Sequence, residues 1–180
     1  MKHLDELSDE KLVQKIRSED KEFFREIIKR YEAKLLRYAS YLIGDEDKAA
    51  DVVQGAFIKA YTNLNGFNVN KKFSSWVYRI THNEAINVVN KHKKTVYLDK
   101  SIDLDSGIDL EDDLIKKELM NHAHYCLDKM PLKYSEPLTL YFLESRSYED
   151  ISDILRIPTG TVAVRISRAK AIMKKICEKQ

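Results

Sequence analysis

Four side chains near the carboxyl end of the sequence have the chemistry of a base-reading surface. At 100° per residue, Ala163, Val164, Ser167 and Arg168 fall on one side of a helix, near its amino-terminal end. Arginine can bind guanine O6 and N7 with two hydrogen bonds, serine can bond to base edges, and small apolar groups can contact the thymine methyl. Residues 165–180 carry six basic side chains and one acidic side chain, which favours attraction to phosphate. The pattern predicts a helix that reads duplex DNA in the major groove.

The segment that contains these residues is predicted to be a helix-turn-helix. Its first helix would bury apolar residues that recur at helical spacing before Pro158, which prevents that helix from continuing. Thr159 is expected to cap the second helix, whose apolar stripe lies opposite the reading face. The two apolar sets are Tyr148, Ile151, Ile154 and Leu155, followed by Val162, Ile166, Ala169 and Met173. The alternative is an ordinary helical hairpin with a solvated basic end.

A second candidate surface for nucleic acid lies in the middle of the chain. Between Gly66 and Thr95 there are six basic residues and a single acidic residue, together with aromatic and asparagine side chains. Aromatic rings offer faces on which unpaired bases stack, cations attract phosphate, and amides bond to base edges. Residues 65–72 are predicted to form a loop because they are rich in Gly and Asn. The alternative is a core helix that buries Phe73, Trp76, Val77, Ile80 and Val88.

The sequence contains no pattern of residues that would support catalysis. Walker, HExxH and GxSxG motifs are absent, so neither an enzyme nor a cofactor is predicted. His122 and Cys126 would share one face of a helix and could bind zinc, but two ligands fall short of the usual four. No metal site is therefore predicted, and packing or surface roles are expected instead. Because Cys126 and Cys177 lie far apart without a paired motif, both are predicted to be reduced thiols.

Charge and hydropathy divide the chain into blocks. Residues 1–95 carry 18 basic and 14 acidic side chains, residues 96–114 carry one and seven, and residues 115–180 carry 12 and eight. The acidic block alternates with apolar residues without helical periodicity, which predicts an extended, mobile linker. No window approaches the ~20 apolar residues that span a bilayer, so a cytoplasmic protein without membrane insertion is expected. The blocks predict domains at 1–95 and 115–180, joined by the linker at 96–114.

Helical periodicity on both sides of the linker predicts an all-α fold with two small helical domains. Five Gly and three Pro are too few for a turn-rich β fold. In the first domain, residues 8–43 predict two helices that end at Gly44, and a third helix should run from near Asp45 or Asp47 to Leu64.

In the second domain, three features are predicted ahead of the helix-turn-helix. They are a helix through about Leu127, a turn at Met130 and Pro131, and a helix over residues 137–143 with Pro137 in its first turn.

Two separate stretches resemble one family, the bacterial sigma factors of the extracytoplasmic-function (ECF, group IV) type within the sigma-70 family. The first combines Asp51-Val52-Val53-Gln54 with the segment 73–83 and basic residues at 91–94, and it resembles the promoter-melting domain of that family. The second runs over residues 147–170 and resembles the domain that reads the −35 element. Order, linker and total length also agree, and the resemblance covers nearly the whole chain.

The resemblance implies a specificity subunit that binds the core of bacterial RNA polymerase, at the beta-prime clamp and the beta flap, and directs initiation at particular promoters. It implies that the acidic linker threads into the positively charged channel of the polymerase. It also implies an anti-sigma factor, expected to be membrane-anchored, that holds the protein inactive. The alternative is a helix-turn-helix regulator that binds duplex operators without polymerase, with residues 1–95 as a sensor or dimerisation domain.

The resemblance further implies three sets of contact residues. The −35 element would be contacted by Thr161, Ala163, Val164, Arg165, Ser167, Arg168, Lys170 and Lys174. The −10 element would be recognised and melted by Gly66, Phe67, Asn68, Lys72, Phe73, Trp76, Arg79, His82, Asn83 and Asn90. Core polymerase would be bound by Asp51, Gln54, Phe57, Ile58 and Tyr61.

Three positions depart from the family pattern. Gly55 stands where Glu or Asp is usual, in a helix interior where glycine costs ~1 kcal/mol, and so removes a polar contact to polymerase. Ala163 stands where Arg or Lys is common, which thins the base-reading face. Ser152 replaces the usual alanine on the first helix of the motif. Since ECF −35 elements typically contain a G followed by an AA step, the resemblance implies that Ala163 and Val164 contact thymine methyl groups.

Overall fold

The computed structural model describes residues 4–96, 125–127 and 129–178, and the regular structure in these ranges is helical, with no strand. The predicted all-α fold with two helical domains is confirmed. Of the predicted linker at 96–114, all but Val96 lies outside the described residues. Across the ranges given above, no helix combines the length and the apolar character that crossing a membrane requires.

Four helices form what we call the first helical unit. They are α1 at Asp9–Ser18, α2 at Phe24–Ile43, α3 at Glu46–Thr62 and α4 at Phe73–Val96. Short 3₁₀ turns at Lys21–Phe23 and Leu64–Gly66 precede α2 and follow α3.

The ends of these helices follow from residues that the sequence places there. Ser8 Oγ accepts the Lys11 N–H at 3.3 Å and begins α1, and Asp45 Oδ1 accepts the Lys48 N–H at 3.0 Å and begins α3. Gly44 ends α2 with a φ of 70°, a left-handed conformation that glycine adopts at little cost. The predicted break at Gly44 and Asp45 is therefore confirmed.

One apolar core joins the four helices, and α2 packs against both α3 and α4. The inner side of α4 is buried, and so are six residues of α3: Ala49, Val52, Val53, Ala56, Phe57 and Ala60. Side chains with no exposed surface include Leu12, Ile27, Leu35, Tyr38, Ala49, Ala60, Phe73, Val77 and Tyr78. Burial on this scale is the main source of stability, since each fully buried large apolar side chain contributes ~1.5–3 kcal/mol.

The second helical unit consists of residues 125–127 and 129–178, with α5 at Leu132–Phe142, α6 at Tyr148–Leu155 and α7 at Thr159–Cys177. Helices α6 and α7 form the predicted helix-turn-helix. Their apolar stripes meet at Ile151, Ile154, Val162 and Ile166, all of which are buried.

Two predicted details of this unit are wrong. Pro137 lies inside α5 and not in its first turn, because the helix already begins after Pro131, whose fixed φ suits helix entry. Thr159 is the first residue of α7 and makes no side-chain cap, because Pro158 occupies the capping position.

Helix α6 is capped at its amino end, and a side-chain bond holds the turn that joins its other end to α7. Ser147 and Asp150 form a capping box, in which Ser147 Oγ accepts the Asp150 N–H at 3.1 Å. At the other end Arg156 has a φ of 55°, and Ser152 Oγ donates to the carbonyl oxygen of Ile157 at 2.7 Å. The Ser152 hydroxyl therefore bonds across the turn.

A disulfide bond joins Cys126 to Cys177, with 6.1 Å between their α-carbons. The prediction of reduced thiols is wrong, because 51 residues of sequence separate two positions that the fold brings together. The bond also removes the Cys126 thiolate that zinc would need, and His122 lies outside the described residues.

Removing the Cys126–Cys177 bond should lower the stability of the second helical unit. Because a cross-link across a loop of this length restricts the unfolded chain, Cys126→Ser should lower the free energy of unfolding by roughly 2–4 kcal/mol, and reductant should do the same to the wild type. Denaturant curves followed by circular dichroism with and without dithiothreitol measure the change. Reductant should leave the Cys126→Ser curve unchanged, and wild-type protein that titrates with two free thiols before any reduction would contradict the bond.

Candidate nucleic-acid interface

The loop before α4 is fastened at both ends by side chains of α1. Arg17 donates through Nε to the carbonyl oxygen of Leu64 at 3.1 Å, and its terminal nitrogen donates to that of Phe67. At the other end, the Phe73 N–H donates to Glu10 Oε1 at 3.0 Å, so a carboxylate caps α4. Helical periodicity carries no sign of these two contacts, which span 50 and 63 residues of sequence. Arg17 and Glu10 are therefore absent from the predicted site residues.

Three aromatic side chains pack together where this loop enters α4. The ring centroids lie 5.4 Å apart for Phe67 and Phe73, 5.0 Å for Phe67 and Trp76, and 5.5 Å for Phe73 and Trp76. Phe67 and Phe73 are buried in the core, whereas Trp76 is only half-buried. The two phenylalanines thus support the loop from the core side. Of the three rings, Trp76 has the exposed surface on which an unpaired base could stack.

The remaining residues of the predicted −10 set lie on the loop and along α4, and they differ in exposure. Gly66, Asn68, Lys72, Asn83 and Asn90 are exposed, and Arg79 and His82 are half-buried. The Trp76 N–H donates to the Lys72 carbonyl oxygen at 3.3 Å, and the Trp76 ring packs on Phe67, the neighbour of Asn68 in the chain. Asn90 lies ~25 Å further along the helix at 1.5 Å per residue. There it lines a groove between α3 and α4 with Asp51 of the predicted polymerase set.

Two cations of the predicted −10 set are paired with carboxylates of α6. Lys72 Nζ lies 2.9 Å from Asp150 Oδ1, and an Arg79 guanidinium nitrogen lies 2.9 Å from Asp153 Oδ1. Burial alone would raise the pKa of Asp150, but bonds from Lys72 and Ser147 and the Lys72 charge lower it below its ordinary value. Burial lowers the pKa of Arg79, and the Asp153 carboxylate offsets part of that shift.

On α7 the exposed side matches most of the predicted reading face. Val164 is 51% exposed, and Ser167 and Arg168 are exposed beside it. Ala163 is half-buried at the edge of this side, as are Thr161 and Arg165. Val162, Ile166 and Ala169 of the opposite stripe are buried where α7 packs on α5 and α6, and Met173 is half-buried, so the helix presents its reading face to solvent.

Aromatic residues of α5 border the reading face on both sides. The Arg168 guanidinium beside the Tyr134 hydroxyl lowers the pKa of that phenol, and burial opposes the shift slightly. Lys170 Nζ lies 5.1 Å from the ring centroid of Phe142 and 5.8 Å from that of Tyr141. The Arg168 guanidinium thus lies beside a phenol, and the Lys170 ammonium lies within cation–π distance of two rings. Lys174 is exposed further along α7.

The outer face of α3, which we define as Asp51, Gln54, Ile58 and Tyr61, is exposed. Ile58 is 59% exposed and Tyr61 is 41% exposed, although the Tyr61 ring also packs edge-on against Phe24. Phe57, which belongs to the same predicted set, is buried in the core and supports this face from within.

Gly55 lies among these residues in the interior of α3. A β-carbon placed there would meet no atom within 4 Å. The glycine is therefore not required by crowding, and a longer side chain would extend from the same helix.

Family models match both helical units. The description "Sigma-70 region 2" fits residues 27–95, and "Sigma-70, region 4" fits residues 123–173. The chain is 32% identical to the ECF RNA polymerase sigma factor SigW of Bacillus subtilis, over 94% of this chain and 97% of that protein. It is also 32% identical to the ECF RNA polymerase sigma-E factor of Escherichia coli K12, over 92% of each chain.

Two solved structures share the fold. One is CnrH in complex with the cytosolic domain of CnrY, with a TM-score of 0.74, 20% identity and coverage of 96% of this chain and 98% of that one. The other is the sigma factor RpoE in complex with the anti-sigma factor NepR from Bartonella quintana, with a TM-score of 0.74, 22% identity and coverage of 86% and 96%.

Replacing Arg17 should loosen the loop before α4 without unfolding the protein. In Arg17→Ala two backbone carbonyls lose their charged donor, and leaving a buried acceptor unpaired costs ~1–3 kcal/mol. Amide hydrogen exchange over residues 65–72 should become faster. The fluorescence of Trp76 should change as well, because its ring packs on Phe67.

The control for this experiment is Arg25→Ala, which removes an exposed arginine from α2. It should leave both signals as in the wild type. Exchange that is equally slow in Arg17→Ala and in the wild type would show that Arg17 does not hold the loop.

Proposed function

This chain belongs to the sigma-70 family, as a sigma factor of the ECF type, and from that premise we propose how its surfaces divide the work of promoter recognition. It is an RNA polymerase sigma factor that directs promoter-specific initiation of transcription, and it is not an enzyme. Its partners are core polymerase and promoter DNA. The observation that carries the proposed division is the outer face of α3, which leaves two large apolar side chains in solvent beside polar ones.

We assign core polymerase to the outer face of α3. Exposed Ile58 and Tyr61 can form an apolar centre, while Asp51 and Gln54 supply a polar border. That composition is typical of protein interfaces, in which a desolvated centre is surrounded by hydrogen-bonding residues. The beta-prime clamp is the proposed partner for this face. Gly55 leaves room between these residues for a polymerase side chain.

We assign strand separation at the −10 element to the anchored loop and the first turns of α4. Extruding a base costs a few kcal/mol, so a pocket that is already ordered is an advantage. The bonds from Arg17 and Glu10 supply that order before DNA arrives. Trp76 can then stack on an unpaired base, and Asn68 can bond to its edge. Lys72 is available to phosphate once Asp150 releases it.

We assign the −35 element to the reading face of α7. Arg168 pairs with a guanine, and Val164 with the half-buried Ala163 lies against the methyl groups of the thymines opposite an AA step. The Tyr134 hydroxyl steers the Arg168 side chain and so reduces the entropy that the arginine loses on binding. Lys174 is assigned to phosphate, and the beta flap is proposed to hold the second helical unit on the polymerase.

Four further assignments complete the proposal. Residues 1–95 and 115–180 act as the two functional domains, and the acidic residues at 96–114 occupy the polymerase channel. The protein works in the cytoplasm. An anti-sigma factor, itself anchored in the membrane, restrains it.

Run-off transcription with purified core polymerase tests the function. The wild type should yield promoter-specific product, and Asp51→Ala with Gln54→Ala should reduce both the product and co-purification with core. The matched control, Gln14→Ala with Glu32→Ala, removes an exposed amide and an exposed carboxylate from α1 and α2 and should behave as the wild type. Wild-type protein that gives no promoter-specific product, or that binds palindromic duplex without polymerase, would refute the sigma assignment.

Substitutions on α7 should separate base reading from phosphate attraction. Val164→Ser should reduce the preference for A·T at the AA step by ~1 kcal/mol, and Arg168→Ala should cost ~1–3 kcal/mol and relax specificity at one guanine. Lys174→Ala should weaken all sequences evenly and lower the salt slope by about one.

A promoter library scored by transcription at several salt concentrations measures all three effects. Tyr134→Phe is the control for Arg168, because it keeps the arginine but removes the hydroxyl that steers it; its loss should be smaller than that of Arg168→Ala. If Lys174→Ala changed specificity as much as Arg168→Ala did, the helix would lie in the groove in the opposite sense.

A further inference from the structure

The two helical units lie against each other along α4, and the ion pairs between them join carboxylates of the second unit to basic side chains of the first. Besides the pairs from Lys72 to Asp150 and from Arg79 to Asp153, Ser75 Oγ donates to Asp150 Oδ1 at 3.2 Å. These contacts cover the same side of α4 that carries cations of the predicted −10 set.

Two further carboxylates of the second helical unit reach deeper into the first. Glu136 Oε1 accepts the Tyr38 hydroxyl at 2.6 Å and lies 2.6 Å from His82 Nδ1. Glu144 accepts two bonds from Arg37, at 2.7 and 3.0 Å, and the Tyr78 hydroxyl at 2.6 Å. Both glutamates are nearly inaccessible, with 6% and 7% of their surface exposed.

The depth of these glutamates shows that the contact is specific. A buried carboxylate is costly unless several donors satisfy it, and each of the two is met by a phenol together with a basic side chain. All four of those donors belong to the first helical unit, so the glutamates are satisfied only while the units are together. Burial next to Glu136 raises the pKa of Tyr38, and burial next to Glu144 raises that of Tyr78, so both phenols stay protonated as donors.

We propose that this arrangement is a self-inhibited form of the free sigma factor, in which carboxylates of the second helical unit occupy the places of promoter phosphates on α4. The inference rests on the proposed role of α4 at the −10 element. Asp150 and Asp153 neutralise Lys72 and Arg79, and Glu136 occupies His82 Nδ1; all three of these partners are residues assigned to that element. Single-stranded DNA must displace these carboxylates before it can bind.

The masking is selective, because two other functional surfaces remain outside the contact. Val164 on the reading face of α7 is 51% exposed, and Ile58 on the outer face of α3 is 59% exposed. The closed form can therefore still meet polymerase through α3. Polymerase then supplies the separation of the two units, since it holds each of them at a different place, and the melting surface is uncovered only there.

The test uses the full chain with Asp153→Asn and Glu144→Gln, which remove two charges of the contact while keeping side-chain size. Small-angle X-ray scattering should show a larger radius of gyration than for the wild type. Binding to a fluorescent single-stranded −10 oligonucleotide, without polymerase, should become at least tenfold tighter. Glu149→Gln is the matched control, because Glu149 is exposed on the same helix, and it should match the wild type in both measurements.

A second pair of variants tests the contact itself. Arg79→Asp and Asp153→Arg should each expand the protein, and the double exchange should make it compact again because the ion pair is restored in reverse. The proposal would be overturned by an unchanged radius in the variant with Asp153→Asn and Glu144→Gln, or by expansion of that variant without tighter oligonucleotide binding. Scattering needs neither polymerase nor DNA, so it tests the contact between the units independently of the sigma function. A failed run-off assay with the wild type would instead contradict the sigma function.

Discussion

Helix α4 has to be a core element and a charged surface at once, and the arrangement of the molecule follows from that constraint. Its inner side closes the core through Phe73 and Val77, its outer side carries Arg79, and Lys72 lies directly before its first residue. A helix can satisfy both demands because successive turns repeat each face. The functional side chains therefore project from a rigid backbone, and little conformational entropy is lost when a ligand binds.

The contact between the units is stabilised by different interactions from those of the core. Apolar burial stabilises whatever shape excludes water, but buried Glu136 and Glu144 tolerate only the one arrangement that brings their donors to them. Replacing such pairs by apolar residues often gives equal or greater stability, so they add specificity more than strength. Such a contact can form reproducibly and still open when a competing polyanion binds. Opening is tolerated because the freed carboxylates and cations are solvated by water.

Local patterns were sufficient to predict most helices but not the contacts between them. The stripes that define α2, α3 and α7 are visible in a window of a few turns, and so is the break at Gly44. The hydrogen bond from Arg17 to the Leu64 carbonyl oxygen depends on tertiary structure, and so does the disulfide between Cys126 and Cys177. The predicted position of Pro137 is wrong because a proline in the sequence can mark either the start of a helix or an interior position. Here Pro131 precedes the helix start, and Pro137 lies inside the helix.

The candidate site was predictable to the level of faces and less so to the level of single residues. Phe57, Phe67 and Phe73 satisfy both a core stripe and a functional motif, and only packing reveals that all three are buried. Conversely, Val164 and Ser167 lie opposite a strong apolar stripe, so helical geometry alone placed them in solvent. No sequence pattern marked Glu136 or Glu144, because a carboxylate in a helix is ordinarily at the surface.

The bond between Cys126 and Cys177 makes the chain from one to the other a covalent ring that contains α5, α6 and α7. A single cut by a protease anywhere inside that ring opens it without releasing a fragment, because the two pieces stay joined through sulfur. The reading helix would thus remain attached to the rest of the protein after a nick in the turn at Arg156, and it would be lost only when a reductant acted as well.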